Sequence, residues 1–224
     1  MTQALSLRAL ARLLCYPDDT LMGQLPDVAE VLAADEALSP RTRRGLAELV
    51  SDLLSRDWLE VEARYVDSFD RGRRTSLHLF EHVHGDSRDR GPAMIDLQQT
   101  YAASGLYLAD GELPDFLPVV LEFASTQPAD VAREFLAEMA HILNALHSAL
   151  SERDNPYAAV IAATLELAGE PLQAVKVEAE EPVDQSWAEP EVFGGCSSAG
   201  QQAPGQPQAI HIVRTSNIPR GAAA

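Results

Sequence analysis

The residues able to do chemistry concentrate between His78 and Leu97, HLFEHVHGDSRDRGPAMIDL, a stretch with three of the chain's six histidines, alternating charges and two glycines. Within it, His78-Leu-Phe-Glu81-His82 has the spacing of an inverted zinc-hydrolase motif. On a helix, imidazoles at i and i+4 share a face and reach one metal, with the intervening glutamate as general base. His84 could supply a further nitrogen. Such a centre needs a third protein ligand, and the available carboxylates, Glu138, Glu152 and Glu166, sit in no second motif. The competing reading has His78 and His82 lining an amphipathic helix while Glu81, Asp86, Arg88, Asp89 and Arg90 form surface ion pairs. Such pairs contribute only about 0–1 kcal/mol each, so stability gives little reason for so many charges in one loop, and recognition gives a better one.

Composition narrows the partners. The 224 residues carry 34 acidic and 17 basic side chains, a net charge of −17. That field repels a phosphate backbone and attracts a basic peptide, which argues against nucleic acid; solubility alone is the plainer account of it. An apolar fraction of 46% suits a folded core. Cys15 and Cys196 belong to no C-x-x-C pair, so neither a disulfide framework nor a cysteine zinc site is indicated. The opening residues lack a basic n-region, and no apolar run approaches the ~18 residues of a membrane span. A cytoplasmic location without stable membrane association is expected.

The elements that must position these residues read as helices. Leu5 to Leu14 repeat at helical spacing and Pro17 ends them. Asp18 to Thr20 offer caps for a second helix, in which Pro26 should enforce a kink or a split. Ser39-Pro40 is a strong start signal for a third. A fourth begins near Asp57 and places Tyr65 and Phe69 one turn apart. The turn Asp70-Arg-Gly-Arg-Arg74 is basic in an acidic chain. A short helix over about Thr75 to His82, a loop over Val83 to Gly91, and a helix from Pro92 to about Ser104 follow. The two prolines of Pro114-Asp-Phe-Leu-Pro118 fit only a first turn, which puts Asp115 at or near that helix's N-terminus. Val131, Phe135, Met139, Ile142, Leu146 and Leu150 step by 4, 4, 3, 4 and 4, the pattern of one long helix. Asn155-Pro156 opens the last helix, ending near Gly169. The fold class is all-α, a single helical-bundle domain over residues 1–168. Residues 169–224 read as a disordered, acidic C-terminal tail with one extended patch at Ile210 to Val213.

The segments Tyr65 to Asp70, His78 to Gly91, Ala93 to Leu97 and Glu112 to Pro118 together resemble the NarJ family, the delta-subunit chaperones of respiratory nitrate reductase, over most of residues 1–168. Glu62, Tyr65 and Phe69 are also similar to a Glu-x-x-Tyr-x-x-x-Phe pattern of the wider TorD-like redox-enzyme maturation chaperones, which are all-helical. Glu112 to Phe116 resembles an acidic-Pro-Asp-His pattern of the same family, with Phe116 in the histidine's place, so no role of that histidine is carried over. No glycine loop supports nucleotide binding. The resemblance implies a non-catalytic cytoplasmic protein with no resident cofactor. Its expected ligand is the N-terminal segment of the immature nitrate reductase catalytic alpha subunit. It would hold that subunit ready for molybdenum-cofactor and iron–sulfur insertion before membrane docking, with molybdenum-cofactor biosynthesis proteins as further partners. It would not remain in the finished enzyme. For that ligand, Tyr65, Phe69, Phe80, Leu97 and Phe116 are candidate groove walls. Asp70, Glu81, Asp86, Asp89, Asp96 and Asp115 are candidate partners for its basic groups, with His78, His82, His84 and Arg90 beside them. The zinc hydrolase built on His78, Glu81 and His82 is the alternative.

Overall fold

A computed structural model describes residues 2–85 and 87–175. Among them the chain forms ten α-helices, one 3-10 turn and no strand beyond a single isolated bridge. The expected caps set the early boundaries. α1 (Thr2–Leu13) stops before Pro17. α2 (Asp19–Ala34) starts where the Asp18 carboxylate accepts the Leu21 N–H at 2.7 Å. α3 (Pro40–Ser55) starts where the Ser39 hydroxyl accepts the Thr42 N–H at 3.2 Å, and α4 (Trp58–Phe69) is capped by Asp57.

Two expectations concern helix continuity. Pro26 neither splits nor ends α2. The proline lies on the exposed side, where the carbonyl it leaves unpaired can be hydrated, while buried Leu21, Leu25, Val28 and Leu32 keep the opposite face docked. The long stripe from Val131 to Leu150 is two helices, α8 (Ala129–Glu138) and α9 (Ala140–Glu152), which meet at Met139 with φ −95° and ψ 2°. No glycine or proline marks the break. Packing sets it: α8 leans on α7 (Leu117–Thr126) and α10 (Ala158–Ala168), while α9 also packs against the 3-10 turn at Arg73–Thr75. Val131, counted in the stripe, is 44% exposed, and Ala132 and Leu136 are the buried residues instead.

The core lies where α1 meets α7 and where α10 meets α9, α8 and α3. Leu7, Leu10, Leu13 and Leu14 of the α1 region are essentially inaccessible, as are Leu117, Leu121, Leu143 and Leu146. Gly45 lets α3 approach α10: a Cβ there would come within 3.0 Å of the Ala159 Cβ. Gly169, at φ 76°, ends α10 in the left-handed conformation that favours glycine. The chain continues past this point along α9 rather than leaving the body at once. The Gln173 N–H donates to Asn144 Oδ1 at 2.7 Å and the Val175 N–H to Ser148 Oγ at 3.0 Å. The remainder of the expected tail, including Ile210 to Val213, lies outside the described residues. Among the described residues no helix is long and apolar enough to cross a membrane.

Candidate functional site

The central stretch does not form the helix its spacing suggests. His78 is extended, because the backbone here pairs with a segment nearly forty residues later. The Leu79 N–H donates to the Asp115 carbonyl at 3.0 Å and the Leu117 N–H to the Leu77 carbonyl at 2.9 Å, which makes the His78–Phe116 bridge. α5 therefore starts late, at Leu79–His84, and α6 follows at Arg90–Ala103.

Asp115 is the hub of this crossing. It is fully buried, and its carboxylate caps α5 rather than α7. Oδ2 accepts the Phe80 N–H at 3.1 Å and lies 3.5 Å from Arg90 Nη2, while Oδ1 lies 3.4 Å from His78 Nδ1. Arg90 reaches Glu81 as well, at 3.3 Å, and its Nε is buried without a hydrogen-bond partner. A buried carboxylate is tolerated only with such partners. Phe116, the N-cap residue of α7 without a side-chain cap bond, lays its ring over His78 at a centroid distance of 5.2 Å. The Tyr101 hydroxyl donates to the Pro114 carbonyl at 2.8 Å and steadies the segment from below. Burial, with the charge of Asp115, raises the pKa of that hydroxyl and keeps it a donor.

The arrangement removes the zinc site. His78 is an extended N-cap residue and His82 a helical one, and their rings are taken up by different partners. His82 Nε2 sits 2.9 Å from the Ser76 carbonyl, and His78 Nδ1 faces Asp115. Glu152 pairs with Arg74, and Glu166 accepts from the N-terminus of α3. Among the described residues no group of histidine, cysteine and carboxylate side chains could hold a metal ion.

Six of the candidate ligand-binding residues do come together. Tyr65, Phe69, Asp70, His78, Glu81 and Phe116 line one open cleft of about 420 Å³ between α4, the 71–76 turn and α5. Tyr65 and Phe69 form its floor and are 5% and 4% exposed. They pack edge-on to one another and to Tyr157, and the Tyr65 hydroxyl donates to the Leu14 carbonyl at 2.7 Å. Burial raises its pKa too. These two rings are thus core residues with an edge on the cleft. Phe116 and Glu81 are half-buried and Asp70 is exposed, so they carry the accessible part.

The other candidates lie elsewhere. Leu97 is a buried residue of α6, and Phe80 is half-buried against the His84 ring at 5.7 Å. Asp89 and Asp96 are exposed at the start and middle of α6, away from the cleft lining. Asp86 lies outside the described residues. Sequence reasoning missed Ser76 and Leu77, whose backbones hold His82 and Leu117. Ordinary residue types making main-chain bonds leave no signal in the sequence.

The site is a helical bundle cross-braced by a buried carboxylate, with an aromatic-floored cleft lined by Asp70, Glu81 and Arg73 beside it, an arrangement that fits a binding protein. The chain belongs to the nitrate reductase delta subunit family, whose model matches residues 35–163. It is 42% identical over 177 residues to the nitrate reductase molybdenum cofactor assembly chaperone NarJ of Escherichia coli K12, covering 79% of this chain and 75% of that one. NarW of the same strain is 40% identical over 171 residues, covering 76% and 71% of the two chains. A crystal structure of a protein described as a redox enzyme maturation protein from Archaeoglobus fulgidus shares the fold. Its TM-score is 0.50 at 22% identity, and the match covers 76% of this chain and 94% of that one.

Proposed function

We propose that this protein is a cytoplasmic, non-catalytic assembly chaperone for nitrate reductase. It binds the immature catalytic alpha subunit through that subunit's N-terminal segment and holds it open for insertion of the molybdenum cofactor and iron–sulfur clusters. Family membership supports the general role. The observation that carries the finer reading is the cleft in which Phe116 and the rings of Tyr65 and Phe69 lie beside Asp70 and Glu81.

An amphipathic peptide can place one or two apolar side chains on those rings and set basic groups against the rim carboxylates. The cleft is too small for a whole helix, so the peptide lies across its mouth. Exposed Asp89 and Asp96 on α6 extend the acidic surface beyond it, and the net charge of −17 accelerates encounter with a basic segment. Release follows from differential affinity: once cofactor insertion folds the segment into the finished subunit, the epitope is gone.

The test is calorimetric titration of the protein with a peptide copying the N-terminus of the nitrate reductase alpha subunit. Binding should weaken about tenfold, ~1.4 kcal/mol, in Phe116→Ala and in Asp70→Ala. Wild-type affinity in both variants would remove the cleft from the account, and no binding by the wild type would remove the peptide.

A further inference from the structure

Gly72 and Arg73 of the basic turn after α4 line the peptide cleft, while Arg71 and Arg74 face a second pocket, where the fold gives them a partner from the far end of the chain. Arg71 and Arg74 converge with Arg153, just past α9, around a pocket of about 240 Å³ that Gly72 and Glu152 also line. Two carboxylates splint the three guanidinium groups. Arg71 Nη1 lies 3.0 Å from Asp67 Oδ1, Arg153 Nη2 lies 3.5 Å from Asp67 Oδ2, and Arg74 Nη2 lies 2.6 Å from Glu152 Oε2. These three cations against two anions make a locally positive spot on a chain of net charge −17.

One donor is left over. Arg74 Nε is buried and has no hydrogen-bond partner. A buried N–H without an acceptor is costly, so the Arg74 side chain gains from a rearrangement that brings an oxygen to it. The splinting pairs oppose entry only weakly. Asp67 and Glu152 are each 52% exposed, and ion pairs open to water hold their partners loosely. At the end of α9 the amides of Arg153, Asp154 and Asn155 bond the carbonyls of Leu150 and Ser151.

We propose that this pocket binds a phosphate-type oxyanion, either free phosphate or the phosphate group of a small molecule. Planar guanidinium forks match the paired oxygens of such a group and bind it with charge-assisted hydrogen bonds. Arg74 supplies its guanidinium from the turn, and Arg153, just past α9, supplies a second. The site adjoins the peptide cleft, with Gly72 in both linings, but shares none of its arginines with it.

The experiment is calorimetric titration of the full chain with inorganic phosphate and with inorganic pyrophosphate, against sodium chloride of matched ionic strength. Both anions should bind, with dissociation constants of about 1 mM or below. Arg74→Ala and Arg153→Gln, on separate elements, should each weaken binding at least about tenfold, and unchanged far-ultraviolet circular dichroism would show that both fold. Arg8→Ala removes a guanidinium bonded to Ser125 on α7, outside the pocket lining, and should bind as the wild type does. Binding of pyrophosphate alone would assign the pocket to a diphosphate group and overturn the single-phosphate form. No binding by the wild type, or equal loss in all three variants, would overturn the proposal entirely.

Discussion

The carboxylate of Asp115 caps a helix to which it does not belong, accepting the backbone N–H of Phe80 at 3.1 Å across 35 residues of sequence. That bond, the paired main chains beside it and the reach of Arg90 join α5, α6 and α7 at one buried point. The cleft keeps its shape because its wall at His78 and its wall at Phe116 are two sides of the same crossing.

Removing the hub should therefore loosen three helices at once. Asp115→Ala strips the partner from a partly buried arginine and from the first turn of α5, and should cost about 3 kcal/mol or more in urea unfolding. Asp115→Asn keeps an acceptor for Phe80 and should cost less. Equal midpoints for the wild type and Asp115→Ala would mean the carboxylate does not organise the crossing.

A second distant cap is equally open to test. Glu166 of α10 accepts from the Ser39 N–H at 2.7 Å, the Ser39 hydroxyl at 2.8 Å and the Thr42 hydroxyl at 2.7 Å, all at the start of α3. Glu166→Ala should lower stability by about 1–2 kcal/mol. Much of that loss should persist in a Ser39→Ala background, since the amide would still lack its acceptor. A strictly null effect of Glu166→Ala would leave α3 anchored by its apolar face alone.

Contact between α3 and α10 at Gly45 explains a residue that helix propensity disfavours. With an added Cβ only 3.0 Å from that of Ala159, Gly45→Val should destabilise by about 1–3 kcal/mol through overpacking. Ala159→Gly in the same chain should recover part of the loss. Thermal unfolding of the two variants decides it, and additive losses would refute the contact.

His147 on α9 makes stability depend on pH. Burial, and then the charge of Arg41, lowers its pKa in the fold below the usual 6.5. As pH falls through that value the unfolded chain takes up a proton that the folded chain resists. Its contribution is present above the unfolded pKa and is lost toward the folded one. His147→Gln should flatten the urea midpoint between about pH 7 and 5. Asp52 acts in a lower window. The hydrogen bond from Arg56, and then the charge of Arg64, holds its carboxyl below the usual 3.8, so its contribution fades only in strong acid. An unchanged slope in His147→Gln would clear the histidine.

Local signals in the chain account for much of this fold. Caps and prolines report on the backbone within a few residues, so Asp18, Ser39-Pro40, Asp57 and Gly169 located helix ends directly. Apolar periodicity placed most of the core, because a helix in a bundle must bury one face. The same local logic failed where tertiary contacts outweighed it. Pro26 is carried through α2 by four buried neighbours, and the stripe over Val131 to Leu150 is cut at Met139 because its halves pack against different elements.

The candidate site divides along the same line. Residue types alone marked the 65–70, 78–90 and 112–118 segments as special, and the similarity of those segments identified the family. Which of their side chains share a wall was decided by the fold. His78 and His82 looked like paired ligands only while the chain between them was taken as one helix, and the main-chain bridge to Phe116 pulls His78 out of it. Spacing encodes a periodic element faithfully. A bridge between residues 78 and 116, a carboxylate serving another segment's helix, or Arg153 meeting Arg71 and Arg74 across some eighty residues depends on how the helices cross. Those crossings are set by the summed burial of many apolar side chains, a quantity that belongs to no single stretch of the chain.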